Sequence, residues 1–299
     1  MMMFSYAESQ RTLQRLTRRF PALERLALTE TPYGRQIEAL VLGSGPRRVL
    51  VSAAHHGNEA ITGQALLQVL EQLLEAAARD QRLGCRSERR LLQTVTLCLV
   101  PLVNPDGADL AAGCVAPDSP LYRSALTIAR QYPAIPFPTG WKANGAGVDL
   151  NLNYPAGFDR AVACKAARGF SRPAPRDYPG RAPLDQPEAA ALAELTCRFA
   201  PHIALALHTQ GREIYWRYGD YADPAAQNLG QQMADATGYT LCDPPAYSSN
   251  AGYKDWFVTR FRRPGYTIEL GLGTNPLPPA QLEPICRDLM SILPLAITG

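Results

Sequence analysis

The chain of 299 residues holds only four histidines, His55, His56, His202 and His208, and the positions of two of them point to chemistry. His55-His56-Gly57-Asn58-Glu59 follows the apolar run Val49–Ala54 and leads into a helical pattern, while His208 follows the apolar run Ile203–Leu207. A catalytic zinc takes three nitrogen or oxygen ligands from protein and keeps a fourth position open. His56 and Glu59, across a strand-to-helix turn, with the distant His208, would make such a set. Each signal is weak alone. H-x-x-E arises by chance, and a single histidine at a strand end is more often a hydrogen-bonded core residue than a ligand. A third element is Glu269, inside the apolar string Tyr266-Thr267-Ile268-Glu269-Leu270. An unpaired carboxylate is costly to bury. Glu269 is therefore either satisfied by an arginine or backbone amides, or kept as a base facing an attacking water.

The elements that must position these residues alternate between strand and helix. Gln36–Gly43 alternates as a strand, and Val49–Ala54 and Val95–Val103 are short continuous apolar runs, as strands buried on both faces are. Ile203–Leu207 and Tyr266–Leu270 are of the same kind. From Glu59 onward, Ala65, Leu66, Val69, Leu70, Leu73, Leu74 and Ala77 recur at helical spacing. Asp223-Pro224 reads as a helix start, with Gly238 at its end; Pro187 opens a helix to about Phe199, and Pro279 opens the C-terminal one. Asn104-Pro105-Asp106-Gly107 reads as a turn. Ala112–Thr139 and Gly157–Leu184 read as long loops rich in Pro, Gly, Arg and Tyr. No repeat or linker divides the chain. The expectation is one α/β domain over residues 1–299, a three-layer α/β/α sandwich on a mixed, largely parallel sheet, with an N-terminal helix at about 5–20 packed on it. Ligands of open α/β sheets bind beyond the carboxyl ends of strands, where His56 and His208 fall.

Composition narrows the function classes. Apolar residues are 46% and charged residues 19%, the balance of a globular domain. A net charge of +3, with basic residues scattered, gives no reason to expect nucleic acid or a membrane surface as partner. No apolar stretch is long enough to span a bilayer. Arg11, Arg15, Arg18 and Arg19 sit among leucines without an apolar run after them, the pattern of an amphipathic helix rather than a secretion signal. Seven scattered cysteines, odd in number and never in C-x-x-C spacing, read as reduced thiols. The chain is therefore expected in the cytoplasm.

The ordered set H-x-x-E (His56, Glu59), N-P-D-G, G-V-D-x-N (Gly147–Asn151), strand-end His208, Tyr247 eight residues before Asp255, and T-I-E-L (Thr267–Leu270) resembles the zinc metallocarboxypeptidase family over nearly the whole chain. The strings W-K-A-N, R-P-A-P-R-D-Y-P-G, H-T-Q-G-x-x-I-Y-W and G-Y-K-D-W-F resemble one bacterial branch, the γ-D-glutamyl-meso-diaminopimelate peptidases that cut cell-wall peptides. The resemblance implies one zinc held by His56, Glu59 and His208, with Glu269 as general base and proton shuttle. It makes Asp149 the carboxylate that orients a ligand histidine, Asn151 a contact to a substrate carboxylate, and Tyr247 a mobile phenol closing over substrate. Lys142 falls where the family usually has an arginine polarising the scissile carbonyl, and a lysine cannot form the bidentate fork.

One position breaks the family pattern. Typical exopeptidases of the family read N-R after G-V-D-x, and that arginine clamps the C-terminal carboxylate; here Leu152 follows Asn151. Trimming of ordinary C-termini is not expected. A diaminopimelate carboxylate still needs a cation, for which Arg176 and Arg212 are the candidates, and Tyr215 and Trp216 could line the pocket. The expected function is zinc-dependent hydrolysis of the γ-D-glutamyl–diaminopimelate bond in murein (peptidoglycan) peptides, with a small muropeptide as partner. One alternative is a general metallocarboxypeptidase or small-amide deacylase on the same fold. Another is a non-catalytic muropeptide-binding protein, which would have little reason to keep Glu269.

Overall fold

The computed structural model describes residues 4–79 and 93–298, with the backbone of 82–83 and 86–87 between them. Its strands are β1 (Leu23–Glu30), β2 (Gln36–Leu42), β3 (Arg47–Ala53), the short β4 (Arg82–Leu83) and β5 (Arg86–Ser87), β6 (Val95–Val100), β7 (Ile203–His208), β8 (Glu213–Tyr215), β9 (Thr240–Cys242) and β10 (Gly265–Glu269). Eight of these form one sheet in the order β1-β2-β6-β3-β7-β10-β8-β9, and β4 pairs with β5 alone. Within the large sheet β6, β3, β7 and β10 run parallel, and β1, β2 and β8 join antiparallel. The apolar runs became the central strands because covering both faces leaves little room for polar residues: every residue of β7 is buried, with His208 at its end the one polar side chain.

Helices cover the two faces. Ile61–Ala78, Pro224–Thr237 and Leu282–Thr298 pack together. Pro187–Phe199 and Tyr253–Phe261 form a second group, joined where Thr196 Oγ1 and Tyr253 Oη lie 2.9 Å apart. The N-terminal helix Tyr6–Arg19 starts in a capping box, Ser5 with Glu8, and buries Leu13 and Leu16. This is the expected α/β sandwich, and the predicted helix at 5–20 is present.

Three expectations need correction. Asn104-Pro105-Asp106-Gly107 does not end in a turn but opens the helix Pro105–Ala111, with the Asn104 side chain accepting from the Gly107 amide. The two long loops contain helices Pro120–Ala129 and Phe158–Ala166. The helix expected from Glu59 starts at Ile61, after a single 3-10 turn at Gly57–Glu59. Strands β1, β8 and β9 and the helix Tyr253–Phe261 were not expected at all.

This topology creates the site. Chain order carries β3 to β6 on one side and β7 onward to β10 on the other, so the strand order reverses between β3 and β7. That is the crevice where open α/β sheets receive ligands. Ala53 pairs with Leu207, and Glu269 pairs with His208. The register therefore delivers His56, His208 and Glu269 to one end of three neighbouring strands.

Candidate active site

His56 reaches the crevice because the chain turns sharply after β3. Ala54 is in the left-handed region (φ 54°), and its amide is held by Thr62 Oγ1 at 3.0 Å. Such a conformation costs a non-glycine residue about 1–3 kcal/mol and is kept only where its surroundings impose it. The next turn packs against the helix Pro105–Ala111 so closely that a Cβ at Gly57 would stand 2.3 Å from the Gly107 carbonyl. Asn104 closes this junction by donating to the carbonyls of His55, Lys142 and Ala143. The segment carrying Lys142 is thus fixed to the segment carrying His56.

Among the described residues, His56, Glu59 and His208 bring one ligand atom each within 4.8 Å of one another, and all three side chains are buried. His56 Nδ1 lies 2.9 Å from Glu59 Oε1, and His208 Nδ1 lies 3.1 Å from Glu59 Oε2 and 3.3 Å from His56 Nδ1. On its far side, His56 Nε2 is 3.0 Å from Asp149 Oδ1. A proton placed there on Nε2 leaves the Nδ1 lone pair facing Glu59 and His208. Two imidazole nitrogens and one carboxylate turned to a common point are the donor set of a divalent zinc site. The residues present fit that metal.

Buried charge surrounds the cluster. Burial alone would lower the His56 pKa, but Glu59 and Asp149 outweigh it and hold it up at about 9. Burial likewise pushes Asp149 upward, yet His56, Lys142 and Lys165 bring it well below the carboxylate range, so it is ionised. Lys142 Nζ sits 2.9 Å from Glu59 Oε1. Glu269 is pushed up to about 8, first by burial and then by the charges of Glu59 and Glu213, against Lys142 and His56. A cation held by the cluster would lower it again.

His56, Glu59, Lys142, Asp149, Asn151, Leu152, Arg176, Tyr215 and Glu269 all line one pocket, and His208 joins it through the cluster. Asn151 Oδ1 accepts from the Tyr253 amide at 3.0 Å. Three residues expected at the site are elsewhere. Arg212 does not line the pocket; its Nη2 donates to the Thr237 carbonyl at 2.6 Å and its guanidinium covers the Tyr239 ring, so it serves a helix end. Tyr247 is 48% exposed in a 3-10 turn, with the Arg168 guanidinium 4.8 Å from its ring centre, although neighbouring Ser248 does line the pocket. Trp216 is buried in the core. Lys165, Asp177, Lys254 and Asp255 line the pocket and were missed. The sequence signal for Asp177, Lys254 and Asp255 was the charge inside R-P-A-P-R-D-Y-P-G and G-Y-K-D-W-F, and Lys165 carried none.

A buried His/Glu/His cluster beside the half-buried carboxylate of Glu269, at the switch point of a mixed sheet, is the arrangement of a metallohydrolase. The chain belongs to the zinc carboxypeptidase family (peptidase M14), whose sequence profile matches residues 10–292. It is 36% identical to the gamma-D-glutamyl-L-diamino acid endopeptidase 1 of Lysinibacillus sphaericus, over 97% of this chain and 71% of that protein. Bovine thrombin-activatable fibrinolysis inhibitor superposes with a TM-score of 0.75 at 16% identity, covering 99% of this chain and 96% of that one. The murein-tripeptide amidase MpaA of Escherichia coli O157 superposes with a TM-score of 0.54 at 20% identity, covering 91% of each chain. At these identities the two structural likenesses speak for the fold. The chain is thus a zinc metallopeptidase with the carboxypeptidase fold. No helix among the described residues is long and apolar enough to cross a membrane.

Proposed function

We propose that this enzyme hydrolyses the γ-D-glutamyl–diaminopimelate bond of murein peptides. The observation that carries the reading is Leu152, buried in the lining of the zinc pocket where the family's exopeptidases carry a carboxylate-clamping arginine, in a chain 36% identical to a gamma-D-glutamyl-L-diamino acid endopeptidase. A carboxylate facing leucine forgoes a charge-assisted hydrogen bond, about 1.5–3 kcal/mol, or roughly ten- to a hundredfold in affinity. Ordinary C-termini are poor substrates on this account.

His56, Glu59 and His208 hold the zinc, and Asp149 keeps His56 in the ligating tautomer. Zinc, when bound, supplies Lewis acidity and makes a water nucleophilic near neutral pH. Glu269 takes the proton of the attacking water on its carboxylate and hands it to the leaving amine. Lys142 moves from Glu59 to the carbonyl oxygen as negative charge develops there. Asn151 donates to a substrate carboxylate, and Tyr247 leaves Arg168 to close over the bound peptide. Arg176 holds a diaminopimelate carboxylate: it shares Asp177 with Lys165, so two cations face one carboxylate and a positive charge is left over. The partner is a small muropeptide rather than nucleic acid or membrane. Free thiols at Cys98, Cys114, Cys164, Cys197, Cys242 and Cys286 favour a reducing compartment, and we place the enzyme in the cytoplasm.

Mass spectrometry of products from L-Ala-γ-D-Glu-diaminopimelate tests the reading. Release of free diaminopimelate is expected. Intact substrate alongside fast release of a plain C-terminal Phe or Lys from an α-linked peptide overturns it.

A further inference from the structure

The Glu59 carboxylate has neighbours of two kinds. Oε1 meets His56 Nδ1 and Lys142 Nζ, each at 2.9 Å, and Oε2 meets His208 Nδ1 at 3.1 Å. None of these three is a lasting hold on the carboxylate. Both imidazole nitrogens belong to the ligand set, and Lys142 leaves for the substrate carbonyl in the function proposed above. Among the described residues two donors remain. The Thr209 amide donates to Oε2 at 3.1 Å, and Asn275 Nδ2 donates to Oε1 at 3.2 Å. Asn275 lies on the loop after β10, and its side chain is fully engaged: Nδ2 also donates to the Thr209 carbonyl at 2.9 Å, and Oδ1 accepts from Thr209 Oγ1 at 2.8 Å. These partners fix which amide atom is which, because the reversed amide would set its oxygen against a carboxylate and a carbonyl. The same loop is tied to the chain after β7 without Asn275, by the Leu270 amide on the His208 carbonyl at 2.8 Å and the Gly211 amide on the Gly271 carbonyl at 3.0 Å. Joining the two segments therefore does not account for an amide aimed at a ligand carboxylate. Substrate contact does not account for it either, since Asn275 does not line the pocket.

We propose that Asn275 is a positioning residue for the metal: it holds the Glu59 carboxylate in its ligating orientation, and the Thr209 hydroxyl holds Asn275. This rests on Glu59 being a zinc ligand, as proposed above, and deepens that assignment. A long, rotatable side chain loses freedom when it ligates, and donors that fix it beforehand make that loss smaller. Hydrogen bonds to a ligating carboxylate do this work in metal sites generally. The arrangement also spans two elements. Thr209 follows His208 directly, so one amide ties a ligand on the turn after β3 to the residue beside a ligand at the end of β7. The spacing of Glu59 and His208 is thereby held by a group outside the substrate pocket.

The test measures zinc affinity of the full chain by competition with a coloured chelator. It compares wild-type protein, Asn275→Ala, Thr209→Val and the double variant, with Glu59→Ala as control. Asn275→Ala is expected to weaken zinc binding by about ten- to a hundredfold, the range for partners of metal ligands. Thr209→Val leaves the amide in place but frees its oxygen, and should weaken zinc by about threefold, the worth of one neutral hydrogen bond. In the double variant the valine should add less than about twofold to the Asn275→Ala loss, because the hydroxyl acts through Asn275. The visible spectrum of cobalt-substituted Asn275→Ala should shift, since it follows the geometry of the ligands. A role confined to the loop would lower Tm and leave affinity and spectrum unchanged. Should Asn275→Ala not fold, Thr209→Val carries the test, with its weaker zinc binding the expected result. Wild-type zinc affinity in Asn275→Ala overturns the proposal, as do losses that add in full in the double variant. Where only Thr209→Val folds, wild-type affinity there overturns it. Wild-type zinc affinity in Glu59→Ala overturns the ligand assignment itself, whereas zinc lost from Glu59→Ala but kept by Asn275→Ala overturns this proposal alone.

Discussion

Replacing Glu188 with Gln should flatten part of the protein's pH-dependent loss of stability. Glu188, on the helix Pro187–Phe199, is 1% exposed and accepts from Asn144 Nδ2 at 3.1 and 3.2 Å. Burial pushes its carboxyl from 4.5 up to about 7; Asp106 and Asp185 add to this, and Asn144 and the Glu188 backbone amide oppose it. A carboxyl moved that far favours its neutral form by about 3 kcal/mol. Because the folded pKa is the higher one, this stabilisation is fully present below about pH 4.5 and is lost as pH rises through about 7. Roughly 2 kcal/mol of it falls between pH 5.5 and 8.5. A glutamine can turn its oxygen to Asn144 and never ionises. The variant should therefore gain on wild-type protein as pH rises over that interval, by about 4 °C in Tm. Zinc-loaded protein melted in matched buffers every half pH unit gives the difference curve directly, with other titrating groups cancelling. A difference that does not change with pH would refute the reasoning, because the carboxyl would then titrate alike in both states.

The other expectations are briefer. His208→Ala should lose the zinc, seen by metal analysis, since two protein ligands hold it less well than three. Glu269→Gln should keep fold and zinc but lose about 10²–10⁴-fold in kcat, the range for general acid–base assistance; near-wild-type turnover would move the base elsewhere, with Glu213 next to test. Asp149→Asn should weaken zinc affinity by about 10–100-fold in a chelator competition, because His56 loses the carboxylate that fixes its tautomer. Arg176→Ala should impair the diaminopimelate peptide far more than its decarboxylated analogue, and equal losses would show that Arg176 does not read that carboxylate.

The metal cluster was legible because its residues lie at the ends of apolar runs whose burial forces them to be central strands. Once β3, β7 and β10 are neighbours, His56, His208 and Glu269 have little freedom to be apart. β1 was not legible for the opposite reason. Leu23–Glu30 is half-exposed at the sheet edge, built largely of residues that suit helices, and is held by pairing with β2 and by contacts such as Arg25 Nε to Glu38 Oε1 at 2.6 Å. The helix Pro105–Ala111 hid behind its own cap, since Asn-Pro-Asp-Gly serves a turn or a helix start equally well. Arg212 looked like a pocket cation because it follows His208 closely. At φ 55° its backbone carries the side chain away toward Thr237. Distance along the chain says little about direction in space after a strand ends.

The pocket cations show the same limit and also explain how the site could change substrate. Lys165 comes from the helix Phe158–Ala166 and Lys254 from the helix Tyr253–Phe261, and only packing against the sheet brings them to one cavity. The zinc cluster, by contrast, stands on sheet ends fixed by Asn104, Gly57 and the strand register. A site divided in this way lets one part vary while the other stays constrained. On the proposed function, Leu152 in place of the family's arginine and charge supplied from the two helices set which carboxylates are held, without moving His56, Glu59, His208 or Glu269. On that function chemistry and specificity rest on different elements, and charge introduced through the helices changes the second while leaving the first in place.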